Sequence, residues 1–192
     1  MKLYVVRHGE TDWNVAQRWQ GHADIPLNEA GRAQAAETAA ALARFSFGAV
    51  VSSPLSRAKE TADAIAARAG LPVLVEPMLI ERDVGAMSGR TVLEWKVDFP
   101  GEPLPDMEPW HDVRERGVAA LTACAAAHPG KDIVVVTHGG LVRAAAEALM
   151  PEAERPADMH LSNASICLFE YETERLSIVY YNRNAWELEN NR

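Results

Sequence analysis

Short, continuous apolar runs separated by longer alanine-rich segments dominate the pattern of hydrophobic positions along this chain. Uninterrupted runs of this length are typical of strands that are buried on both faces of a sheet. We therefore predict strands at residues 3–6, 49–52, 73–75 and 133–136. Helices are expected between them, at about residues 28–45, 54–67, 112–127 and 140–149.

Residues with known preferences for helix ends support these boundaries. Asn28 is a good N-cap, and Ser53 followed by Pro54 predicts that the second helix begins at Pro54. Gly70 marks the end of that helix, and Pro151 breaks the last one. The alternation of strands and helices predicts an α/β fold, a three-layer sandwich with a mainly parallel sheet and helices on both faces.

The last quarter of the chain has a different pattern. Residues 166–171 and 176–182 resemble strands joined by the short polar segment 172–175. A connection this short predicts an antiparallel hairpin, or at least a late antiparallel edge strand. The tail at 187–192 is polar, so we expect it to be frayed.

Residues 85–112 show neither helical nor strand periodicity. This segment contains prolines, Gly101 and three large aromatic residues, namely Trp95, Phe99 and Trp110. We interpret it as an irregular, cap-like insertion within a single domain that spans residues 1–192. Aromatic residues in such a segment are expected to pin it to the core, although stacking on an aromatic ligand is an alternative.

Composition and charge narrow the function classes. The 192 residues are 48% hydrophobic, and the formal net charge is −8 with a pI of about 5.3. This acidity argues against a nucleic-acid partner, but a local arginine cluster is still able to bind a small phosphorylated substrate. No apolar run is long enough for a signal peptide or a membrane span, so we expect a cytoplasmic protein with no membrane partner. Cys124 and Cys167 lie far apart and are expected to be buried thiols.

Basic and imidazole side chains follow three of the predicted strands. Arg7 and His8 follow the first, Arg57 lies just after the second, and His138 follows the fourth. The carboxyl ends of parallel strands form ligand sites, and each of the two histidines precedes a glycine that permits close approach of a ligand. Either histidine alone would be read as structural. Together, these residues predict an anion-binding pocket that takes a phosphate group.

A phosphate pocket with a reactive histidine suggests nucleophilic catalysis. His8 beside a fixed cation is suited to attack phosphorus, and a carboxyl group must then protonate the leaving oxygen. Glu81, after the third strand, is the best candidate, and Glu10 is an alternative. His22 is a candidate for the pocket mouth. The other histidines are expected to be surface or structural residues: His111, His128 and His160.

These residues resemble the histidine phosphatase superfamily, which is also called the phosphoglycerate mutase-like family. The matching segments run in family order from the first strand to the last third of the chain. They are Arg7-His8-Gly9-Glu10-Thr11, Trp13-Asn14, Arg18 with Gln20-Gly21, Asp24 with Pro26-Leu27 and Gly31, Ser52-Ser53-Pro54-Leu55, Arg57-Ala58 with Thr61-Ala62, Glu81-Arg82 with Gly85, and Thr137-His138-Gly139.

The resemblance implies a role for each residue. His8 would be the nucleophile that forms a phosphohistidine, and Glu81 would be the proton donor. The clamp on the phosphoryl oxygens would consist of Arg7, Arg57 and His138. The remaining substrate-binding residues would be Asn14, Gln20, Gly21 and Gly139. No metal or other cofactor is implied, because fixed side chains stabilise the charge on the phosphoryl group.

The resemblance leaves three functions open. We favour a metal-independent phosphatase that acts on a small phosphorylated metabolite, with α-ribazole phosphatases as plausible relatives. The alternative is a phosphoglycerate mutase, which would require 2,3-bisphosphoglycerate as cofactor. A non-catalytic phosphate-binding protein is the third option. A homodimer formed through edge strands is compatible with each of them.

Overall fold

The computed structural model of the chain describes residues 1–101 and 107–190. Within these residues, six strands and seven helices follow one another along the chain. The strands are β1 (Lys2–Arg7), β2 (Ala49–Ser52), β3 (Val73–Val75), β4 (Ile133–Thr137), β5 (Ile166–Glu172) and β6 (Arg175–Arg183). The helices are α1 (Asp12–Val15), α2 (Glu29–Leu42), α3 (Ser56–Ala69), α4 (Val92–Asp98), α5 (Trp110–Ala126), α6 (Gly139–Leu149) and α7 (Ala185–Asn190).

The strands form one sheet in the order β3-β2-β4-β1-β5-β6. The four strands predicted first are mutually parallel, and β4 lies between β2 and β1. The β5–β6 hairpin adds two antiparallel strands at one side, with β5 paired to β1. This arrangement confirms the predicted α/β class and the late antiparallel hairpin.

Both faces of the sheet are covered by helices, which explains the continuous apolar runs. Along β1, Leu3 and Val5 face a core that includes Leu121 of α5. Tyr4 and Val6 face a second core on the opposite side. Helices α5 and α6 pack together on the first face, and α2 and α3 pack together on the second. The sandwich therefore has three layers, as predicted.

The prediction for the start of the second helix was wrong. Helix α3 begins at Ser56 rather than at Pro54, and its N-cap is Leu55. Its end was predicted well, because Gly70 adopts a left-handed conformation with φ of 68°. The prediction of a frayed tail also needs correction over residues 187–190, which belong to α7. Residues 191–192 of the predicted tail lie outside the described residues.

The insertion at 85–112 is more regular than predicted. A short 3₁₀ helix covers Gly85–Met87, α4 follows, and α5 already begins at Trp110. Thr91 and Glu94 form a reciprocal capping box that starts α4, a signal that the periodicity analysis overlooked. Of the prolines in this segment, Pro103 and Pro105 lie outside the described residues.

Two further expectations concern the core and the membrane. Cys124 and Cys167 are both buried free thiols, as predicted. Among residues 1–101 and 107–190, no helix combines the length and the apolar character that crossing a bilayer requires.

Candidate active site

The predicted site residues meet at the carboxyl ends of three adjacent strands. The His8 amide donates to Thr137 O at 2.9 Å, and the Ser53 amide donates to Val136 O at 2.9 Å. These bonds extend the parallel pairing by one residue past the ends of β1 and β2. As a result, the ring centroids of His8 and His138 lie 5.2 Å apart although the residues are distant in sequence.

An open cleft of about 380 Å³ lies at this edge of the sheet. Eight of the nine predicted site residues line it, namely Arg7, His8, Asn14, Gln20, Gly21, Arg57, Glu81 and Gly139. The exception is His138, which is fully buried and does not line the cleft. The structure thus places His138 beside the nucleophile candidate rather than on the cleft surface.

The ring of His8 is fixed in one orientation. Its Nδ1 lies 2.6 Å from Gly9 O, and a carbonyl oxygen only accepts, so Nδ1 carries the proton. The Nε2 atom of the neutral ring therefore keeps its lone pair. Burial, together with the charges of Arg7 and Arg57, lowers the pKa of His8 well below the ordinary value of 6.5. The imidazole is consequently neutral, which is the nucleophilic form.

Two arginines, one of them fully buried and the other half-buried, lie next to this ring. Arg57 is fully buried and donates to Ala23 O at 2.7 Å and to Gly21 O at 2.9 Å. Arg7 donates to Leu161 O. Burial lowers the pKa of Arg57 to about 10 and also lowers the pKa of Arg7, while the charge of Glu81 opposes both shifts. Both side chains thus stay cationic at neutral pH.

Several shielded polar atoms in this region have no hydrogen-bond partner among the described residues. They include Arg7 Nε, Arg57 Nε, Gln20 Oε1 and His138 Nδ1. Two of these atoms, Arg7 Nε and Arg57 Nε, are N–H donors, and a buried donor without a partner is costly. This pattern is typical of a site in which an anionic ligand accepts hydrogen bonds from the unpaired donors.

The second histidine is held by a serine. His138 Nε2 lies 2.6 Å from the hydroxyl of Ser53. Burial is the main reason why the pKa of His138 lies well below 6.5, and the positive charge of nearby Arg57 lowers this pKa further. Like His8, His138 is therefore a neutral ring at physiological pH.

Glu81 lies across the cleft at the start of α6. Its carboxylate accepts from the amides of Gly140 at 3.1 Å and Leu141 at 3.2 Å, and from the Arg82 amide at 2.8 Å. The alternative acid, Glu10, does not line the cleft, and its carboxylate accepts from the Asn28 side chain at 3.0 Å. The geometry favours Glu81 as the proton donor.

Two further histidines lie in or near the cleft. His160, predicted as a surface or structural residue, is exposed and also lines the cleft. His22, the candidate for the mouth, does not line it, and its Nε2 lies 2.9 Å from Glu81 O. His22 therefore contacts the backbone of the acid-bearing segment rather than the cleft.

The sequence analysis missed several residues at the cleft mouth. It named Trp110 as an anchor to the core, with stacking on a ligand as the alternative, and this residue lines the cleft. The Trp110 ring lies 5.3 Å from the Arg82 guanidinium and 5.5 Å from that of Arg143. The buried Glu147 carboxylate accepts from Trp110 Nε1 and from Arg143 Nε, both at 2.8 Å. Arg18, which belongs to a matching segment but received no role, also lines the cleft. The lining residues that the analysis missed are Trp19, Val84, Met159 and Leu161. No motif marks them, because only the tertiary fold brings them together.

A neutral imidazole, two fixed cations and an opposed carboxylate are suited to transfer of a phosphoryl group. Within the part of the chain that the structure describes, no group of three or more His, Cys, Asp or Glu side chains is placed to hold a metal ion. The absence of a cofactor requirement remains a prediction.

Comparison with known proteins adds an independent line of support. A family model described as "Histidine phosphatase superfamily (branch 1)" matches residues 3–184. The chain is 35% identical over 181 residues to a protein of Bacillus subtilis (strain 168) named uncharacterized phosphatase PhoE, with 94% of each chain covered. It is also 39% identical over 172 residues to phosphoglycerate mutase-like protein 4 of Arabidopsis thaliana, covering 80% of this chain and 73% of the relative.

A solved structure gives the same picture in three dimensions. The mycobacterial glucosyl-3-phosphoglycerate phosphatase in complex with VO3 superposes with a TM-score of 0.83 and 31% sequence identity. The match covers 95% of this chain and 99% of that one. The similarity thus extends over almost the whole fold rather than over an isolated motif.

Proposed function

This chain belongs to the histidine phosphatase superfamily, branch 1, and from that premise we propose that it works through a phosphohistidine intermediate on His8. The chain is a phosphatase that acts on a small phosphorylated metabolite, in keeping with its phosphatase relatives. The observation that carries the proposed mechanism is the fixed His8 tautomer, which leaves Nε2 unprotonated beside Arg7 and Arg57.

In the first step, His8 Nε2 attacks the phosphorus atom and the ester P–O bond breaks. Glu81 gives its proton to the departing alkoxide. The ring gains positive charge as the N–P bond forms, and the hydrogen bond from Nδ1 to Gly9 O stabilises that charge. Arg7 and Arg57 stabilise the negative charge on the phosphoryl oxygens.

In the second step, water attacks the phosphohistidine. Glu81, now a carboxylate, takes a proton from the water, and the P–N bond breaks to return neutral His8 and free phosphate. The buried His138 supports the reaction from beside the His8 ring, with the two ring centroids 5.2 Å apart. No metal is needed in this scheme, because the two arginines supply the charge that a metal ion supplies elsewhere.

The test of this function combines a substrate panel with two variants. EDTA-treated protein is incubated with phosphorylated metabolites, including 3-phosphoglycerate with and without 2,3-bisphosphoglycerate, and products are followed by phosphorus NMR. We expect free phosphate from at least one monoester. Conversion of 3- to 2-phosphoglycerate that depends on the bisphosphate, with little free phosphate, would instead establish the mutase.

The variants assign the roles. His8→Ala is expected to abolish turnover and the acid-labile phosphoryl label on the protein, and to retain binding of inorganic phosphate through the arginines. Glu81→Gln is expected to slow hydrolysis by about 10²- to 10⁴-fold for alkyl esters, and far less for p-nitrophenyl phosphate, whose leaving group needs no proton. Full turnover by His8→Ala would disprove the nucleophile assignment.

A further inference from the structure

The backbone that carries Glu81 lies outside regular secondary structure and is tied down by one side chain of α5. Arg116 donates to Met78 O at 2.9 Å and to Ile80 O at 2.7 Å, and its Nη2 lies 3.3 Å from Glu81 O. Three carbonyl groups around the proposed acid thus converge on one guanidinium. Such a planar, rigid donor holds several acceptors in a fixed relative geometry.

Arg116 is itself fixed by a carboxylate. Glu108 accepts from Arg116 Nε and Nη2, both at 2.9 Å, in a bidentate ion pair. The side chains are 19% and 17% exposed, so solvent screens this pair far less than a surface pair. Glu108 Oε2 also accepts from the Asp83 amide at 3.0 Å, and the Glu108 amide donates to Asp83 O at 3.0 Å.

Together these contacts bracket the acid from both sides. We call the ion pair the Glu108–Arg116 clamp. It holds the backbone before and after Glu81, while the Gly140 and Leu141 amides hold the carboxylate itself. Neither member of the clamp is among the described residues that line the cleft. The clamp therefore acts on the backbone of the acid and not on a substrate.

We propose that Arg116 is a positioning residue whose ion pair with Glu108 sets the distance between the Glu81 carboxyl group and the leaving oxygen. This inference rests on the proposed function, in which Glu81 is the general acid. Proton transfer needs a heavy-atom distance of hydrogen-bond length, and a displacement of about 1 Å is able to cost about 100-fold in rate. Loosening the clamp thus slows the proton-dependent step.

The experiment uses Arg116→Met and measures kcat and KM on two substrates. Glycerol phosphate needs protonation of its leaving oxygen, and p-nitrophenyl phosphate does not. We expect kcat for glycerol phosphate to fall by about 10- to 100-fold, kcat for p-nitrophenyl phosphate to fall less than about threefold, and KM to change little for both. Arg116→Lys, which keeps the charge and a donor, is expected to recover part of the loss.

A matched control distinguishes positioning from general destabilisation. Arg32 also donates to a loop carbonyl, Leu27 O, and forms an ion pair with Glu60 at 3.6 Å, but neither contact involves the acid-bearing segment. Arg32→Met is expected to leave the ratio of the two rates unchanged. If Arg116→Met does not fold, Glu108→Gln removes the ion pair with little change in shape and serves for the same measurement.

The double variant separates failure of this inference from failure of the proposed function. In a Glu81→Gln background, Arg116→Met is expected to have no further effect on the ratio, because the acid is already absent. Equal losses on both substrates in Arg116→Met would overturn the positioning role. If Glu81→Gln itself fails to change the ratio, the assignment of the acid is wrong, independently of the clamp.

Discussion

At the scale of single residues, main-chain groups hold the reactive side chains in place. The carbonyl of Gly9 fixes the His8 ring, the carbonyls of Ala23 and Gly21 fix the Arg57 guanidinium, and helix amides fix the Glu81 carboxylate. Main-chain partners move little when one side chain is replaced. We therefore expect single substitutions to leave the geometry of the site intact, so that a loss of activity reflects the loss of a catalytic group.

The carboxylate of Glu81 packs closely against the backbone of Gly140. A Cβ atom at this position would lie 2.5 Å from Glu81 Oε1, which is closer than nonbonded atoms tolerate. In Gly140→Ala the flexible Glu81 side chain must move, and alanine favours the helix, so the fold is preserved. We expect slower hydrolysis of alkyl phosphates and nearly unchanged hydrolysis of p-nitrophenyl phosphate. Steady-state kinetics with both substrates measure this, and equal changes would contradict it.

At the scale of elements, the start of α3 explains why one boundary was not predictable. Leu55 at the N-cap provides no side-chain hydrogen bond. The cap is supplied by Asp24, which accepts from the Ser56 amide and from the Ser56 hydroxyl, both at 2.7 Å. A cap that comes from another loop leaves no local signal in the sequence, and the Ser53-Pro54 pair pointed to the wrong residue.

Asp24→Ala is expected to weaken both the helix start and phosphate binding. Loss of a cap costs about 1 kcal/mol of folding free energy, and Arg57 lies in the first turn that the cap orders. We expect a lower free energy of unfolding by urea and a higher inhibition constant for inorganic phosphate. Asn28→Ala is the matched control, since Asn28 caps α2 through the Gly31 amide at 2.8 Å. It should reduce stability and leave the inhibition constant unchanged.

Elements whose signals are local were predicted well. Strands β2 and β3 match the predicted boundaries, because each is a short apolar run that ends at polar or turn residues. This local signal is sufficient both for the fully buried β2 and for the edge strand β3, whose Leu74 and Val75 are exposed. Helix α4 was missed for another reason. Its seven residues leave Val92, Leu93 and Val97 exposed, so its pattern is not that of a helix with one buried face.

At the scale of the whole molecule, the sheet order determines which predictions succeed. Residues that follow parallel strands, such as His8 and Arg57, were placed correctly because topology alone brings strand ends together. Trp110 and Arg143 come from α5 and α6, and they meet only because these helices pack side by side on one face of the sheet. Sequence patterns predict the layers, but they do not predict such contacts between helices.

The charge distribution also belongs to this scale. The chain has a formal net charge of −8, yet five arginines line the described cleft, namely Arg7, Arg18, Arg57, Arg82 and Arg143. A cleft that concentrates one sign of charge attracts ligands of the opposite sign. The charge of the cleft is therefore opposite in sign to the charge of the whole chain, and it suits a small phosphate ester.

Two buried neutral histidines make the stability of the whole fold depend on pH. The pKa values of His8 and His138 lie well below 6.5 in the folded chain, whereas the unfolded chain titrates near that value. Below about pH 6.5 the unfolded state thus binds more protons than the folded state. The free energy of unfolding is therefore highest above this pH and decreases as the pH falls. Each histidine contributes a slope of up to about 1.4 kcal/mol per pH unit.

Urea unfolding between pH 5 and 7.5 tests this dependence on pH. The free energy of unfolding of the wild type is expected to fall with acidification, and a His8→Asn/His138→Asn variant should show a shallower dependence below pH 6.5. His111→Asn is the control, because that ring is exposed beside Glu115 and its replacement should leave the wild-type slope intact. Parallel curves for the wild type and the double variant would mean that the two rings bind protons as readily in the folded chain as in the unfolded chain. The stability argument would then fail, and the neutral form of His8 on which the mechanism rests would be the main form only above about pH 6.5.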